Sequence, residues 1–192
     1  MQFRIRQNFE ATPLEMMQVY TDPGFYPYLH NLPKIGAPEV LDRRDEGGQV
    51  LMWVRYLFRG DLPAAARRVL DPAKLTWIEA ARYDFESLTA WTQLLPDNYA
   101  DKMACSATVV FSRDPGPQRK STRTIDGDLK VSMPLVGGKV EHAIVSGLRE
   151  HMTDERPIAD WWAANLRDRA AESAPAETPP AETPPPEIPG AY

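Results

Sequence analysis

The 192-residue sequence lacks several features that mark whole classes of protein. Its one cysteine, Cys105, excludes a disulfide within the chain, which fits a reducing compartment. No apolar run approaches the roughly 20 residues that a membrane-spanning helix requires. The first nine residues alternate apolar and polar side chains, whereas a secretion signal needs an unbroken apolar segment. These absences favour a cytoplasmic protein without stable membrane insertion.

Clustered positive charge is also missing. The chain carries 22 lysine and arginine residues against 27 aspartate and glutamate residues, for a net charge of −5. The basic residues form no stripe or patch, so nucleic acid is not an expected partner. The sequence gives no indication of the oligomeric state.

Motifs for metal, nucleotide or serine-hydrolase chemistry are absent as well. The histidines His30, His142 and His151 do not have the spacing of a zinc motif, and we expect the last two to lie on a helix surface. Gly137-Gly138-Lys139 lacks the earlier glycine and the following Ser or Thr of a phosphate loop, and there is no Gly-x-Ser-x-Gly elbow. We therefore predict no metal and no cofactor. Cys105 lies among apolar residues, which indicates a buried thiol and not a nucleophile.

What the chain does contain is a series of short alternating segments separated by turn residues. Such spacing predicts an antiparallel meander of strands. The predicted strands are Met1–Phe9, Glu39–Asp45, Gln49–Arg59, Ala65–Leu70, Leu75–Phe85, Leu88–Leu95, Met103–Phe111 and Thr124–Met133.

Two regions depart from this pattern and predict helices. Thr12-Pro-Leu-Glu15 has the residues of a capping box, with proline at the first helical position, and a short second helix or turn is expected within 23–32. The second region follows Gly137-Gly138, where Val140, Ile144 and Leu148 recur every four residues. Because Pro157 cannot donate to the helical ladder, we expect a break near Thr153–Arg156 and a separate segment carrying Trp161 and Trp162. Those two residues would pack at the sheet edge or form an interaction patch.

This order of elements predicts an α+β fold in one domain, residues 1–170. A curved antiparallel sheet, with short N-terminal helices, would hold the long C-terminal helix across it and leave an apolar cavity between them. Residues 171–192 differ in composition, because a proline- and glutamate-rich unit of five residues repeats from Pro175 to Pro189. A segment with so few apolar residues cannot bury enough surface to fold, so we predict a disordered tail.

The chain resembles the START/SRPBCC superfamily of helix-grip, Bet v 1-like proteins, and within it a bacterial branch of unknown function. The residues that carry this resemblance are an opening Phe-Arg-Ile5 strand, Thr-Pro-Leu-Glu15, Gly-Ala-Pro-Glu39, Gly-Asp-Leu-Pro63, Thr-Trp-Ile-Glu79 and Pro-Leu-Val-Gly-Gly-Lys-Val-Glu141. It covers about residues 1–166. Members of the superfamily bind lipids, sterols or polyketides, and some catalyse cyclisation or aromatisation. For this branch the resemblance implies a cavity that binds a ligand, since fold alone does not fix function.

The candidate cavity residues are the inward-facing members of the central strands and of the C-terminal helix. They are Met52, Val54, Tyr56, Trp77, Glu79, Tyr83, Leu129, Val131, Val140, Ile144 and Leu148. Glu79 is the one carboxylic acid in this set. A buried carboxylate needs a partner, so we expect Arg55 or Arg82 beside it, either as a structural ion pair or as part of a ligand site.

Three hypotheses for function follow. In the first, the protein binds a hydrophobic small molecule or lipid in the cavity without reacting with it. In the second, it is an enzyme of the polyketide cyclase or aromatase type, which would need Glu79, an arginine and a tyrosine in one pocket. In the third, it is a non-enzymatic module that recruits protein partners through a surface patch and the tail.

Overall fold

The computed structural model describes residues 1–62, 64, 66–68, 70–115 and 120–173, which form one antiparallel sheet, two α-helices and three short 3-10 helices. The strands are β1 (Gln2–Phe9), β2 (Ile35–Glu46), β3 (Gln49–Phe58), β4 (Thr76–Asp84), β5 (Thr89–Pro96), β6 (Met103–Arg113) and β7 (Ser121–Val131). The α-helices are α1 (Pro13–Thr21) and α2 (Gly137–Ser173), and the 3-10 helices are Tyr26–Leu29, Ala66–Arg68 and Pro72–Lys74.

Strands β2 to β7 form an antiparallel meander, and β1 is added at its edge beside β7. The order of the sheet is β1-β7-β6-β5-β4-β3-β2, so β1 pairs with the last strand and not with the one that follows it. The sheet curls into a half-barrel, and α2 lies across its concave face with contacts to β1 and β7. The predicted α+β helix-grip fold is confirmed.

Strict alternation along the strands creates the concave apolar face. In β3 every second residue is buried, from Val50 through Met52, Val54 and Tyr56 to Phe58. Successive side chains of a strand point to opposite faces, so one strand supplies both the core and the solvated outer surface. The same alternation in β6 buries its inward residues.

The start of α1 follows the local sequence. The Glu15 carboxylate accepts a hydrogen bond from the Thr12 backbone N–H at 2.7 Å, and the Thr12 hydroxyl accepts one from the Glu15 N–H at 3.3 Å. Pro13 occupies the first helical position, where its missing N–H leaves no bond unmade. The predicted capping box is confirmed.

The turn from β7 into α2 depends on one glycine. A Cβ atom at Gly137 would lie 2.4 Å from the carbonyl oxygen of Val131, whereas one at Gly138 would meet nothing within 4 Å. Glu141, four residues after the start of the helix, accepts a hydrogen bond from the Val131 N–H at 2.8 Å. The chain therefore turns tightly enough to direct α2 over the sheet.

The expected break in the last helix is wrong, because α2 continues without interruption from Gly137 to Ser173 and carries Pro157 inside it. The reason lies in the orientation of the proline. Pro157 and Thr153, whose carbonyl loses its helical donor, are both exposed, so this carbonyl can be hydrated. On the opposite side the buried residues Glu155 and Ala159 hold the turns against the core.

The predicted strand over Ala65–Leu70 is also wrong, since Ala66–Arg68 forms a 3-10 helix. Leu62, Ala66 and Leu70 are all buried, and their spacing of four is helical. The backbone N–H of Leu70 donates to the Ala66 carbonyl at 2.9 Å. The buried apolar residues of this segment therefore repeat once per helical turn, and not at every second position as in a strand.

The paired tryptophans near the end of α2 have different roles. Trp162 is buried and its indole N–H donates to Asp22 Oδ2 at 3.0 Å, tying α2 to the end of α1. Trp161 is 47% exposed and its ring lies 5.0 Å from that of Tyr28, which is 51% exposed.

The helix includes the first three residues of the segment predicted as a tail. Residues 174–192 lie outside the described part of the chain, so the tail and the domain boundary at 170 stay predictions.

Candidate functional site

Two adjoining cavities lie between the concave face of the sheet and α2. The first, here called the apolar cavity, has a volume of about 60 Å³ and is lined chiefly by apolar side chains, including Phe58, Leu62, Leu75, Met103 and Ile144. The second, the polar cavity, has a volume of about 70 Å³ and contains Glu79, Arg123, His151 and Glu155 in its wall. Four side chains line both cavities and form the partition between them: Ile35, Trp77, Leu94 and Leu148. An apolar cavity therefore lies directly beside one that contains charged groups.

The structure brings most of the sequence-predicted residues to these walls. The apolar cavity is lined by Trp77, Val131, Val140, Ile144 and Leu148, and the polar cavity by Tyr56, Trp77, Glu79, Tyr83 and Leu148. Met52, Val54 and Leu129 share the concave face but are fully buried in the core and line neither cavity. A ligand-binding role for any of these residues stays a prediction.

A buried ionic cluster, formed by Arg123 on β7 with Glu155 and His151 on α2, closes one side of the polar cavity. Arg123 Nη1 lies 3.4 Å from Glu155 Oε1, and His151 Nε2 lies 3.2 Å from Glu155 Oε2. The hydroxyl of Tyr20, on α1, also donates to Glu155. All of these side chains are buried, so the cluster ties three elements together in a low-dielectric interior.

Further contacts hold the guanidinium of Arg123 in place. Its Cζ lies 4.1 Å from the centroid of the Tyr20 ring, a cation–π geometry. Nη1 also donates to Gln7 Oε1 at 3.3 Å, and Gln7 Nε2 in turn donates to the Met152 carbonyl at 2.7 Å. The cluster lowers the pKa of Glu155: burial opposes ionisation, but the hydrogen bond from His151 and the charges of His151 and Arg123 outweigh it.

Glu79 has the opposite environment. Its carboxyl lines the polar cavity and retains some accessible surface there. Burial raises its pKa, and the nearby Glu155 adds to this, whereas the charges of Arg123 and His151 act against it. No residue in the described part of the chain donates a hydrogen bond to its side chain. Glu79 is therefore a carboxyl group with an open hydrogen-bonding site in the cavity.

Two tyrosine hydroxyls beside Glu79 are also without protein partners among the described residues. Tyr56 and Tyr83 line the polar cavity, and neither hydroxyl bonds to another described side chain or carbonyl. Burial, followed by the charge of Glu79, raises the pKa of both, so both carry their protons and can donate. The polar cavity thus offers several unfilled hydrogen-bonding positions next to an apolar space.

The expected arginine partners of Glu79 are wrong. Arg55 pairs with Glu39 at 3.4 Å and with Asp97 at 3.2 Å on the outer face of the sheet, and Arg82 is exposed. Each is one position away from an inward-facing residue, and the period of two places both on the opposite face. The arginine that acts on Glu79 is Arg123, from a strand that is not its neighbour.

Sequence reasoning missed Arg123 and Glu155, and it placed His151 on the helix surface, where only His142 lies. The periodicities contain the missing signal. Arg123 is two residues before the inward-facing Ile125 on β7, so it shares that face. His151 and Glu155 follow Leu148 by three and seven residues, which places them on the buried stripe of the helix.

Cys105 lies in the wall of the polar cavity as a buried thiol, as expected. Burial and the charge of Glu79 raise its pKa to about 12, so it is not a thiolate at neutral pH. Within the described ranges, no three His, Cys, Asp or Glu side chains are grouped so as to hold a metal ion. Neither helix there combines the length and apolar character needed to cross a bilayer.

Comparison with solved structures identifies the fold. A START superfamily protein from Mycobacterium smegmatis superimposes with a TM-score of 0.52 at 17% identity, over 86% of this chain and 98% of that one. Zhui aromatase/cyclase from a Streptomyces species gives 0.57 at 14% identity, over 91% and 99%. A point mutant of norcoclaurine synthase from Thalictrum flavum gives 0.57 at 16% identity, over 87% and 96%. These superpositions show a shared fold, which confirms the helix-grip fold that the resemblance implied.

No curated protein sequence is significantly similar to this chain. The sequence does match a family whose description is "Protein of unknown function (DUF2505)", over residues 4–162. That match includes β1 from Arg4 onward, the other six strands, α1 and the part of α2 that lines the cavities. The chain therefore belongs to the DUF2505 family, within the helix-grip fold of START-like proteins.

Proposed function

We propose that this protein binds a small, predominantly hydrophobic molecule in the two cavities between the sheet and α2. One observation carries the proposal: an apolar cavity shares a wall with a cavity in which the Glu79 carboxyl and the Tyr56 and Tyr83 hydroxyls have no hydrogen-bond partner among the described residues. Ligand sites in proteins combine a largely apolar lining with a few polar groups that orient the ligand. The apolar cavity would hold the body of the ligand, and the polar cavity its polar group.

The size of the cavities limits the ligand. Volumes of about 60 and 70 Å³ are each below the roughly 150 Å³ of an engineered cavity that binds benzene. A molecule the size of a short alkyl chain or a single ring could enter with small side-chain movements. A lipid would require the segment between β3 and β4 to move, since Leu62, Leu70 and Leu75 form part of the wall.

Two measurements test the proposal. Native mass spectrometry of protein purified from its own host is expected to reveal an additional small-molecule mass that is lost on denaturation. Titration of the emptied protein with n-hexanol, followed by nuclear magnetic resonance, is expected to shift the signals of Trp77 and Leu148. An unoccupied protein that also fails to bind n-hexanol would overturn the proposal.

A matched pair of variants separates the cavity from the rest of the surface. Leu148→Trp puts a larger side chain in the wall that the two cavities share, and is expected to fill cavity space and abolish n-hexanol binding. Leu41→Trp introduces the same side chain at a position on β2 that is 38% exposed, and should leave binding unchanged. Equal binding by both variants would place the hexanol elsewhere.

Catalysis is a second candidate because Glu79, Arg123 and several tyrosines line one cavity. The pKa of Glu79 is raised and that of Glu155 is lowered, and acid–base catalysis uses two carboxyls whose pKa values differ in this way. The aromatase/cyclase and norcoclaurine synthase share only the fold with this chain. The catalytic candidate therefore rests on the residues of the cavity. It is tested by whether the bound small molecule is chemically altered on incubation with the protein and whether Glu79→Gln prevents that change.

A further inference from the structure

Carboxyl groups outnumber fixed cations in the polar cavity. Glu79 and Glu155 both line it, and among the described residues Arg123 is the single arginine or lysine in its wall. Glu155 is satisfied, because it accepts from Tyr20 and pairs with Arg123 and His151. Glu79 receives no hydrogen bond from the described residues. The carboxyl that faces the open space is therefore the one left without a partner.

Arg123 donates to the ionic cluster and not to Glu79. Its Nη1 is shared between Glu155 and Gln7, at 3.4 and 3.3 Å. Its guanidinium also lies over the Tyr20 ring at 4.1 Å. Its Nε is enclosed by protein and has no hydrogen-bond partner among the described residues. These contacts of Arg123 leave Glu79 without a hydrogen bond.

His151 also pairs with Glu155. Its Nε2 lies 3.2 Å from the Glu155 carboxylate, and its buried Nδ1 has no hydrogen-bond partner among the described residues. Glu155 is thus matched by both Arg123 and His151, whereas Glu79 has no such neighbour within hydrogen-bond distance in the described part of the chain.

Aromatic rings flank the unpaired carboxyl. Trp77 precedes Glu79 by two residues on the same face of β4, and its ring stacks on Tyr56 with centroids 5.9 Å apart and an interplanar angle of 24°. Tyr83 lies farther along the same face, and all four side chains line the polar cavity. The faces of Trp and Tyr rings attract cations, most strongly where water is excluded.

From these contacts we infer that the polar cavity takes the protonated amine of a small amphipathic ligand, with Glu79 as its counter-ion and Tyr56 and Trp77 beside it. The inference rests on the proposed binding function and specifies the class of ligand. An amine donates the hydrogen bonds that Glu79 lacks and balances its charge. A carboxylate ligand would place a third negative group beside Glu79 and Glu155, and Arg123 already pairs with Glu155.

Three probes of matched size test this: n-hexylamine, n-hexanol and n-hexanoate, titrated calorimetrically into the full chain at neutral pH. Hydrogen bonds to a charged group are the stronger ones in protein interiors. We therefore expect n-hexylamine to bind at least about tenfold more tightly than n-hexanol, and n-hexanoate to bind most weakly.

Two carboxyl-to-amide variants locate the effect. Glu79→Gln keeps the shape of the side chain and removes its charge, so it should abolish the preference for n-hexylamine over n-hexanol. Glu39→Gln changes an exposed carboxyl that pairs with Arg55 on the outer face, and should leave all three affinities unchanged.

The outcomes separate this inference from the proposed function. If n-hexanol binds and n-hexylamine binds no better, the cavity is a ligand site and the amine inference is overturned. Tightest binding of n-hexanoate would overturn it as well and would assign the polar group of the ligand to Arg123. If none of the three probes binds, both the inference and the proposed function fail.

Discussion

Arg123 on β7 and Glu155 on α2 form an ion pair inside the protein, with Nη1 3.4 Å from Oε1 and both side chains less than a tenth exposed. Breaking such a pair from one side leaves an uncompensated buried charge. Glu155→Leu is therefore expected to lower the free energy of unfolding by about 3–5 kcal/mol, measured by urea denaturation.

The control for that loss is Glu150→Leu on the same helix. Glu150 is exposed and pairs with Lys34 at 3.2 Å, and exposed pairs contribute about 0–1 kcal/mol. The double variant Arg123→Met/Glu155→Leu should lose less stability than the sum of its two single changes, because it removes both buried charges. Additive losses would contradict a coupling between the two residues.

The two carboxyls of the polar cavity should respond to pH in opposite directions. Burial raises the pKa of Glu79 above its ordinary value of 4.5, so the folded protein holds this proton more tightly than the unfolded chain. Stability from this group is then present below pH 4.5 and is lost as the pH rises toward the folded pKa. Glu79→Gln removes that loss and should be more stable than the wild type at neutral pH, with the difference shrinking toward about pH 4.

Both predictions are measured as the free energy of unfolding by urea at a series of pH values, and Glu155 gives the comparison with Glu79. The pKa of Glu155 is lowered in the folded state, so its contribution is present above the ordinary pKa and is lost as the pH falls through the folded value. Glu155→Gln should therefore reduce stability at neutral pH and lessen its decline in acid. Parallel pH profiles for the two variants would show that the cavity does not distinguish the carboxyls.

Adjacent glycines at the start of α2 should differ in their tolerance of a methyl group. Gly137→Ala would place a Cβ atom 2.4 Å from the Val131 carbonyl oxygen, and relieving that contact should cost about 1–3 kcal/mol. Gly138→Ala meets nothing within 4 Å and should stabilise the protein by about 0.4–1 kcal/mol through the unfolded state. Thermal unfolding of the two variants gives the comparison, and a loss at both positions would argue against the close approach at Gly137.

Pro157→Ala should stabilise the protein without affecting the cavities. The substitution restores an N–H that can donate to the Thr153 carbonyl, and Pro157 is exposed, so no core packing is lost. A proline inside a helix costs about 3 kcal/mol, and the greater freedom of the unfolded chain offsets part of the gain. We expect a net increase of about 2 kcal/mol by urea denaturation, with unchanged n-hexanol affinity. A loss of stability would contradict the assignment of Pro157 as a destabilising residue within α2.

Local sequence was a reliable guide where the cause of a structure is local. The capping box at Thr12 and Glu15, the alternation of β3 and the tight turn at Gly137 each depend on residues a few positions apart. Where two periods compete over a short stretch, as at Leu62, Ala66 and Leu70, the same reasoning chose the wrong element. At Pro157 it gave too much weight to one lost hydrogen bond. Pro157 lies on the exposed side of the helix, so water can hydrate the Thr153 carbonyl that has lost its donor.

The sequence by itself determined which residues face inward, because a period of two in strands and a helical stripe in α2 fix the concave face before any contact is known. Glu79 and its aromatic neighbours could be placed on that face from β4 alone. Only the tertiary structure decided which charges meet there. Arg123 and Glu155 are 32 residues apart, and Tyr20 and Glu155 are 135 apart. These pairings arise from how far the sheet curls and at what height α2 crosses it, and no local periodicity contains that distance.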